Sequence, residues 1–556
     1  MNERAQFSDT AVVFPGPDEI DGFWSQDRIH APRPMSPLAF ELITDTMAIG
    51  FTRAHAEWGA PIDMVTRPVN HYLYSAFRPV TDPAERARRA TVYEQLDDRL
   101  DEVGPLWEER WKPPLIESVR AGRVADYRPL DNEALVAELH RQREHMTDQW
   151  TIHGKVNFGV IAAARFTDFY DEVFQPADRT ESMALLQGFE TETVRASQAM
   201  WALSRQVASS DELQALLART DDEVLAAVRA ADADPAVASF GAALQAFLDE
   251  FGWRSDAVYD VADRPWREDP AIPLDSLRRY AGLGPEHDPD LAFARAAARR
   301  ESLLAAARGR LASDPERARL FERYYEAARH NLRLTEDHAF WIDQSGVVNF
   351  RRFLLQVGER LVAGGCLDAA EDVFFLQQAE VVEALRHGGD RRAVAAQRRA
   401  SVARAAQVEA PRSLGTPPPP SKGKLDPLID ALTVRLSGRR PPQTQDDTAT
   451  VLTGLGASPG VVSGTARVVR SLAEAAKLDE GDILVCEMTL PPWVPLFAVA
   501  AAVVADTGGL MSHCAIVARE FGLPAVVGTQ FGTRTIRDGM SITVDGDKGE
   551  VRIDRG

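Results

Sequence analysis

A run of five small apolar residues, Ala501-Ala502-Val503-Val504-Ala505, ends in Asp506-Thr507-Gly508-Gly509. Three residues later Ser512-His513 opens a segment with apolar residues at three- and four-residue spacing. Few folds accommodate that order. The short apolar run reads as a buried strand, the glycines break it, and the segment from Ser512 reads as an amphipathic helix. His513 therefore falls in the first turn of a helix, beside unsatisfied backbone N–H groups and the positive end of the dipole. Such a terminus binds phosphoryl oxygens without a lysine or a metal. It also disfavours a further positive charge, so an imidazole placed there keeps a lone pair for nucleophilic attack. These residues predict a phosphoryl-accepting histidine.

Upstream the chain changes character once. Between about residues 35 and 400 apolar residues recur with helical period over Tyr93 to Val103, Glu133 to Thr147, Glu181 to Ser204 and Leu213 to Ala231. The pattern resumes over Val237 to Phe251, Pro289 to Ala312, Pro315 to Leu334 and Val347 to Ala363. No β-alternation of comparable length stands out, so residues 1–402 are expected to form a large all-α substrate-binding domain. Residues 403–446 read as a proline-rich linker, with Pro417 to Lys424 and Gly438 to Gln443 flanking a short helical patch, Leu425 to Leu436. From Leu452 onward come short strands, glycine turns and two helices, ending in a hairpin over Ser541 to Ile553 with Asp545-Gly546 at its turn. The expected architecture is multidomain, the helical domain being followed by a small α/β domain over 447–556.

At 556 residues the chain exceeds what one core supports. Its formal charge of −20 argues against non-specific binding to nucleic acid or to an anionic membrane. The longest apolar stretch, Pro495 to Ala505, falls short of the ~20 residues of a membrane span. The polar N-terminus does not resemble a secretory leader. Three widely spaced cysteines, Cys366, Cys486 and Cys514, offer neither a metal pattern nor a disulfide framework. No metal is expected in this chain, and a cytoplasmic location is.

Around His513 the residues Thr507, Gly508, Gly509, Ser512, Ala518, Arg519, Glu520, Gly522 and Pro524 form an ordered set. Two further strings precede them, Gly456-Ala457-Ser458-Pro459-Gly460 and Gly481-Asp482-Ile483-Leu484-Val485-Cys486. Together they resemble the phosphohistidine, or swivelling, domain of the phosphoenolpyruvate-utilising enzymes, including phosphoenolpyruvate synthase and rifampin phosphotransferase. The resemblance implies that His513 carries a phosphoryl group. It further implies that Thr507, Gly508, Gly509 and Ser512 bind phosphate.

Strings in the helical part are similar to the substrate-binding region of the same family. They are His30-Ala31-Pro32-Arg33-Pro34-Met35, Phe247 to Trp253 with Pro265-Trp266-Arg267-Glu268-Asp269-Pro270, and Gly358-Glu359-Arg360-Leu361 with Asp372 to Leu376. Three residues there are candidates for handling a substrate. His30 can orient it or act as general base, His153 can deprotonate a hydroxyl, and Arg267 lies in a candidate docking loop. Each has an ordinary structural alternative: a packed loop residue, a core histidine and a helix-entry turn capped by Asp269.

Enzymes of this family charge their histidine from ATP on an ATP-grasp domain, or from phosphoenolpyruvate on a TIM barrel. No Walker-type loop occurs in the sequence. Lysine appears only at Lys112, Lys155, Lys422, Lys424, Lys477 and Lys548. No stretch of ~250 residues follows the small domain to supply a barrel. The expectation is a phosphotransferase subunit that binds no cofactor of its own and draws on ATP and Mg2+ held by a stand-alone ATP-grasp partner. Its substrate is expected to be a hydroxylated small molecule of apolar or aromatic character. A phosphohistidine-dependent ligase, and a binding protein with a relict histidine domain, are the alternatives.

Overall fold

The computed structural model describes residues 12–230, 234–417, 425–438 and 449–554. Helices dominate as far as residue 405, and the long ones follow the predicted periods. They include Asn132–Val156, Glu192–Ala208, Pro235–Phe251, Pro289–Leu311, Pro315–His338 and Ser345–Ala363, and Phe158–Phe174 is a further long helix that those periods do not cover. Two expected helices are interrupted by local capping. Leu213 to Ala231 divides into Asp211–Leu217 and Asp221–Arg229, because Thr220 and Glu223 form a capping box. Glu181 to Ser204 breaks after Ala184, and Gly188 adopts φ 67° before Thr191 caps the helix that begins at Glu192. Tyr93 to Val103 is not one helix, since only Leu96–Arg99 lies within it as a helical turn.

The helical part is not all-α. Strands β1 (Trp24–Gln26), β2 (Ile62–Val69), β3 (Tyr72–Pro79) and β4 (Ser413–Leu414) form an antiparallel sheet in the order β2-β3-β1-β4. The turn between β2 and β3 is the two-residue Asn70-His71, both left-handed at φ 49° and 68°, as a hairpin with right-twisted strands requires. β4 falls inside the expected linker and pairs with β1, so that part of it is fixed in the sheet. The helical patch is real, as Pro427–Asp430 continuing through a π-helical turn, Ala431–Leu436. Its Leu428, Ala431 and Leu432 enter the main hydrophobic core. Most of the two proline-rich strings, and the boundary expected at 447, lie outside the described residues.

The C-terminal part holds β5 (Val451–Thr453), β6 (Leu455–Ser458), β7 (Val461–Val469), β8 (Ile483–Cys486), β9 (Ala502–Ala505), β10 (Ala525–Val527), β11 (Ser541–Asp545) and β12 (Glu550–Ile553). They form one mixed sheet in the order β5-β12-β11-β7-β8-β9-β10-β6, with β7 to β10 parallel. β8 and β9 are buried along their whole length, which explains their unbroken apolar runs. The hairpin of β11 and β12 sits where the sequence places it, with Asp545 opposite Glu550 across a four-residue loop. One side of this sheet shares a hydrophobic cluster with the helices between residues 200 and 283, through side chains such as Trp201, Phe247 and Leu277. The small domain is thus docked on the helical one by apolar contact.

Candidate active site

β9 delivers the chain to Asp506, and the helix His513–Phe521 starts seven residues on. Ser512 is its N-cap: Ser512 Oγ accepts from the Ala515 N–H at 3.4 Å and donates to the Gly509 carbonyl at 2.8 Å. Gly522, left-handed at φ 68°, ends the helix. His513 occupies the first turn, as the sequence predicts. Its side chain is 12% exposed, with Nδ1 3.0 Å from both carboxylate oxygens of Glu336. Nε2 is buried and has no hydrogen-bond partner.

The expected phosphate-binding residues converge on the same loop, but their donors are occupied. Thr507 Oγ1 donates to the Glu487 carbonyl at 3.0 Å. The N–H groups of Gly508, Gly509 and Met511 donate to the carbonyls of Ser437, Leu436 and Arg435 at 3.2, 2.9 and 3.0 Å. The end of the linker helix therefore sits on the glycine loop.

Glu336, which the sequence reading passes over, is the partner of the histidine. It lies near the end of the helix Pro315–His338, is 4% exposed, and also accepts from Thr193 Oγ1 at 2.8 Å. Burial pushes its carboxyl up, but the His513 imidazole, the Thr193 hydroxyl and the more distant His338 outweigh that and hold it below the usual range. The predicted helical segment ends at Leu334, two residues short of it, and no pattern in the sequence marks Glu336-Asp337-His338. A π-helical turn, Ala339–Gln344, follows, and such turns cluster at functional sites.

His153 belongs to a buried group that includes His338, two residues on from Glu336. Its Nδ1 is 2.8 Å from Asp343 Oδ1, and its ring meets that of His338 edge to face at 4.3 Å. All three are buried. Burial drives the His338 pKa down to about 4, whereas Asp343, although burial opposes its charge, is held below its ordinary value by the neighbouring imidazoles. His30 is near the same group. Its ring stacks on Tyr259 at 4.5 Å and its Nδ1 lies 3.2 Å from Asp27. Burial opposes the imidazolium of His30, but Asp27 and then Asp343 prevail and raise its pKa, which suits a charged orienting group better than a base. Arg267 is not brought to the site. Its guanidinium lies 4.1 Å over Trp253 and 3.8 Å from Asp249, and the Asp269 carboxylate accepts from the Ala271 N–H at 3.3 Å, as a helix-entry turn should. Arg254 is the buried guanidinium of this region, donating to the Glu192 carbonyl at 3.1 Å; burial lowers its pKa to about 9, which leaves it charged at neutral pH.

A narrow, largely apolar cleft opens between the histidine helix and the helical domain. Ile516, Val517, Glu520 and Phe521 form one wall, Val194, Pro289 and Phe293 another, with Glu336 between them. Positions 513, 516, 517, 520 and 521 share one helix face, so the cleft lies along the face that carries His513. Glu520 accepts from the Gly188 N–H at 3.0 Å, and burial pushes its pKa up to about 7 despite that bond and Arg519.

Residues 478–549 match the family described as PEP-utilising enzyme, mobile domain. Residues 153–336 match the rifampicin phosphotransferase fourth domain. Over 98% of its length the chain is 35% identical to chondramide synthase cmdD of Chondromyces crocatus, of which it covers 14%. Over 96% of its length it is 26% identical to the uncharacterized phosphotransferase YvkC of Bacillus subtilis (strain 168), of which it covers 62%. A rifampicin phosphotransferase from a Streptomyces species is 34% identical over 60% of the chain and is covered for 38%. The chain thus spans less than two thirds of each of these relatives. It carries one stretch similar to the mobile domain of the PEP-utilising enzymes and another similar to a rifampicin phosphotransferase domain.

Proposed function

We propose that the chain is the carrier and delivery part of a phosphotransferase. His513 takes a phosphoryl group from ATP on an ATP-grasp unit outside these residues and passes it to a hydroxylated, largely apolar small molecule. The reading is carried by the state of the His513 ring, whose Nδ1 is held by a buried carboxylate while Nε2 has no partner. Glu336 would fix the ring plane and offset the positive charge that a phosphorylated imidazole acquires. Nε2 would attack the terminal phosphorus; a P–N bond forms as the bond to the leaving oxygen breaks. In delivery the acceptor hydroxyl attacks the same phosphorus, a P–O bond replaces the P–N bond, and the electron pair returns to Nε2. The hydroxyl proton would leave toward the cluster of His153, His338 and Asp343.

The ring is too enclosed in the docked state to meet a nucleotide, so charging would require the small domain to leave the helical one. Mg2+ would accompany the nucleotide on the other unit. The apolar cleft along the His513 face suits an apolar acceptor. Incubation with a candidate ATP-grasp unit and γ-labelled ATP tests the reading. Acid-labile label should appear on the wild type, be absent from His513→Ala, and move to a hydroxylated acceptor in a chase. Equal label in both proteins would overturn it.

The likeness to a synthase over nearly the whole chain favours one second reading, in which the phosphoryl group activates a carboxylate for condensation. Product mass separates the two: a phosphorylated acceptor in the first case, a joined and phosphate-free product in the second.

A further inference from the structure

We infer that His153, His338 and Asp343 form a binding site for one divalent transition-metal cation of the zinc, manganese or iron(II) class. One donor atom from each residue lies within 4.8 Å of the others. The three come from separate elements: the helix Asn132–Val156, the last residue of the helix Pro315–His338, and the π-helical turn Ala339–Gln344. Two imidazoles and one carboxylate make a donor set that leaves coordination positions open for an oxygen ligand. Imidazole nitrogen favours these metals over Mg2+, which takes oxygen donors.

The arrangement of the donors supports a built site. His338 Nδ1 is 2.6 Å from the Leu334 carbonyl, so Nδ1 carries the proton and Nε2 presents its lone pair. A backbone carbonyl behind a ligating imidazole is the usual outer support of a metal site. The widened turn inserts one residue before Ser345 and so directs Asp343 to His153, at 2.8 Å. The three residues are 6%, 6% and 3% exposed, which removes the water that would otherwise compete. Glu336, which touches His513, stands two residues from His338 on the same helix and feels its charge, so the cation would lie close to the partner of the phosphoryl carrier. On the phosphotransfer reading a bound cation would replace the free cluster as the group that makes the acceptor hydroxyl acidic, instead of the cluster taking up its proton; the binding itself does not depend on that reading.

The test uses the full chain, stripped with chelator and titrated with Zn2+ and with Mn2+ by calorimetry. About one equivalent should bind, and His338→Gln and Asp343→Asn should each weaken binding at least about tenfold. His140→Gln, at an exposed histidine outside the cluster, should leave it unchanged. Cobalt(II) loaded into the wild type should give the visible bands of nitrogen ligation, a readout that needs no variant to fold. No stoichiometric binding by the wild type, the spectrum of aqueous cobalt, or full binding by both cluster variants would each overturn the site. Because His513→Ala keeps the three donors, phosphotransfer that survives in it with metal binding intact would count against the relay alone.

Discussion

Glu336 and His513 are 177 residues apart in sequence and 3.0 Å apart in space, and on the proposed reading delivery depends on that pair. The glutamate belongs to the helical domain, so it meets the histidine only when the small domain is docked. Glu336→Gln is therefore predicted to leave charging of His513 unchanged while slowing the chase to acceptor by roughly 10²-fold, within the range of a positioned acid–base group. Separate label and chase kinetics check this, and an equal slowing of both steps would contradict it. His513 was legible from sequence because its signal is contiguous: strand, two glycines, cap, histidine. Glu336 was not, because no local pattern ties a glutamate at a helix end to a ring in another domain. His30 and His153 were legible as chemistry-bearing types, and the fold brings both near Asp343. For Arg267 the sequence left two readings, since an arginine that stacks on a tryptophan and one that binds a ligand look alike there; the structure has it over Trp253.

At the scale of elements, long helices were legible where caps agree with the period, as at Asp288-Pro289 and Asp314-Pro315. The small antiparallel sheet was missed since β1 and β4 have three and two residues, and since helical neighbours surround the β2–β3 hairpin. The linker helix was legible, but not its docking on the glycine loop. That seam is tight: a Cβ built on Gly509 would lie 2.2 Å from the Arg435 carbonyl oxygen and 2.5 Å from that of Val434. Neither atom can yield without backbone movement. Gly509→Ala should thus separate the linker helix from the loop at a cost of about 1–3 kcal/mol. Denaturant unfolding measures the cost, and faster proteolysis within 425–438 locates it; unchanged values for both would show the seam to be slack.

For the whole molecule the question is how firmly the two domains hold. The shared apolar cluster favours docking, aided by ion pairs of Arg28 with Glu487 and of Arg412 with Asp506 across the junction. Glu520 opposes docking at high pH. Its pKa of about 7 in the docked state exceeds the ordinary 4.5, mainly through burial, with Glu336 adding to the rise and Gly188, Arg519 and Arg300 opposing it. The docked state binds the extra proton, so docking weakens as pH rises from about 4.5 to about 7 and levels off above that. Domain separation followed by scattering or by a dye pair should show that slope, and Glu520→Gln should flatten it. A slope of opposite sign would contradict the assignment.

The central claim is that His513 carries the phosphoryl group, and peptide mapping under non-acidic conditions tests it most directly. After incubation with ATP and its ATP-grasp unit, the wild type should carry one acid-labile phosphoryl group, on His513, and His513→Ala none. Phosphate on another residue, or an unmodified His513 while acceptor is being phosphorylated, would contradict it.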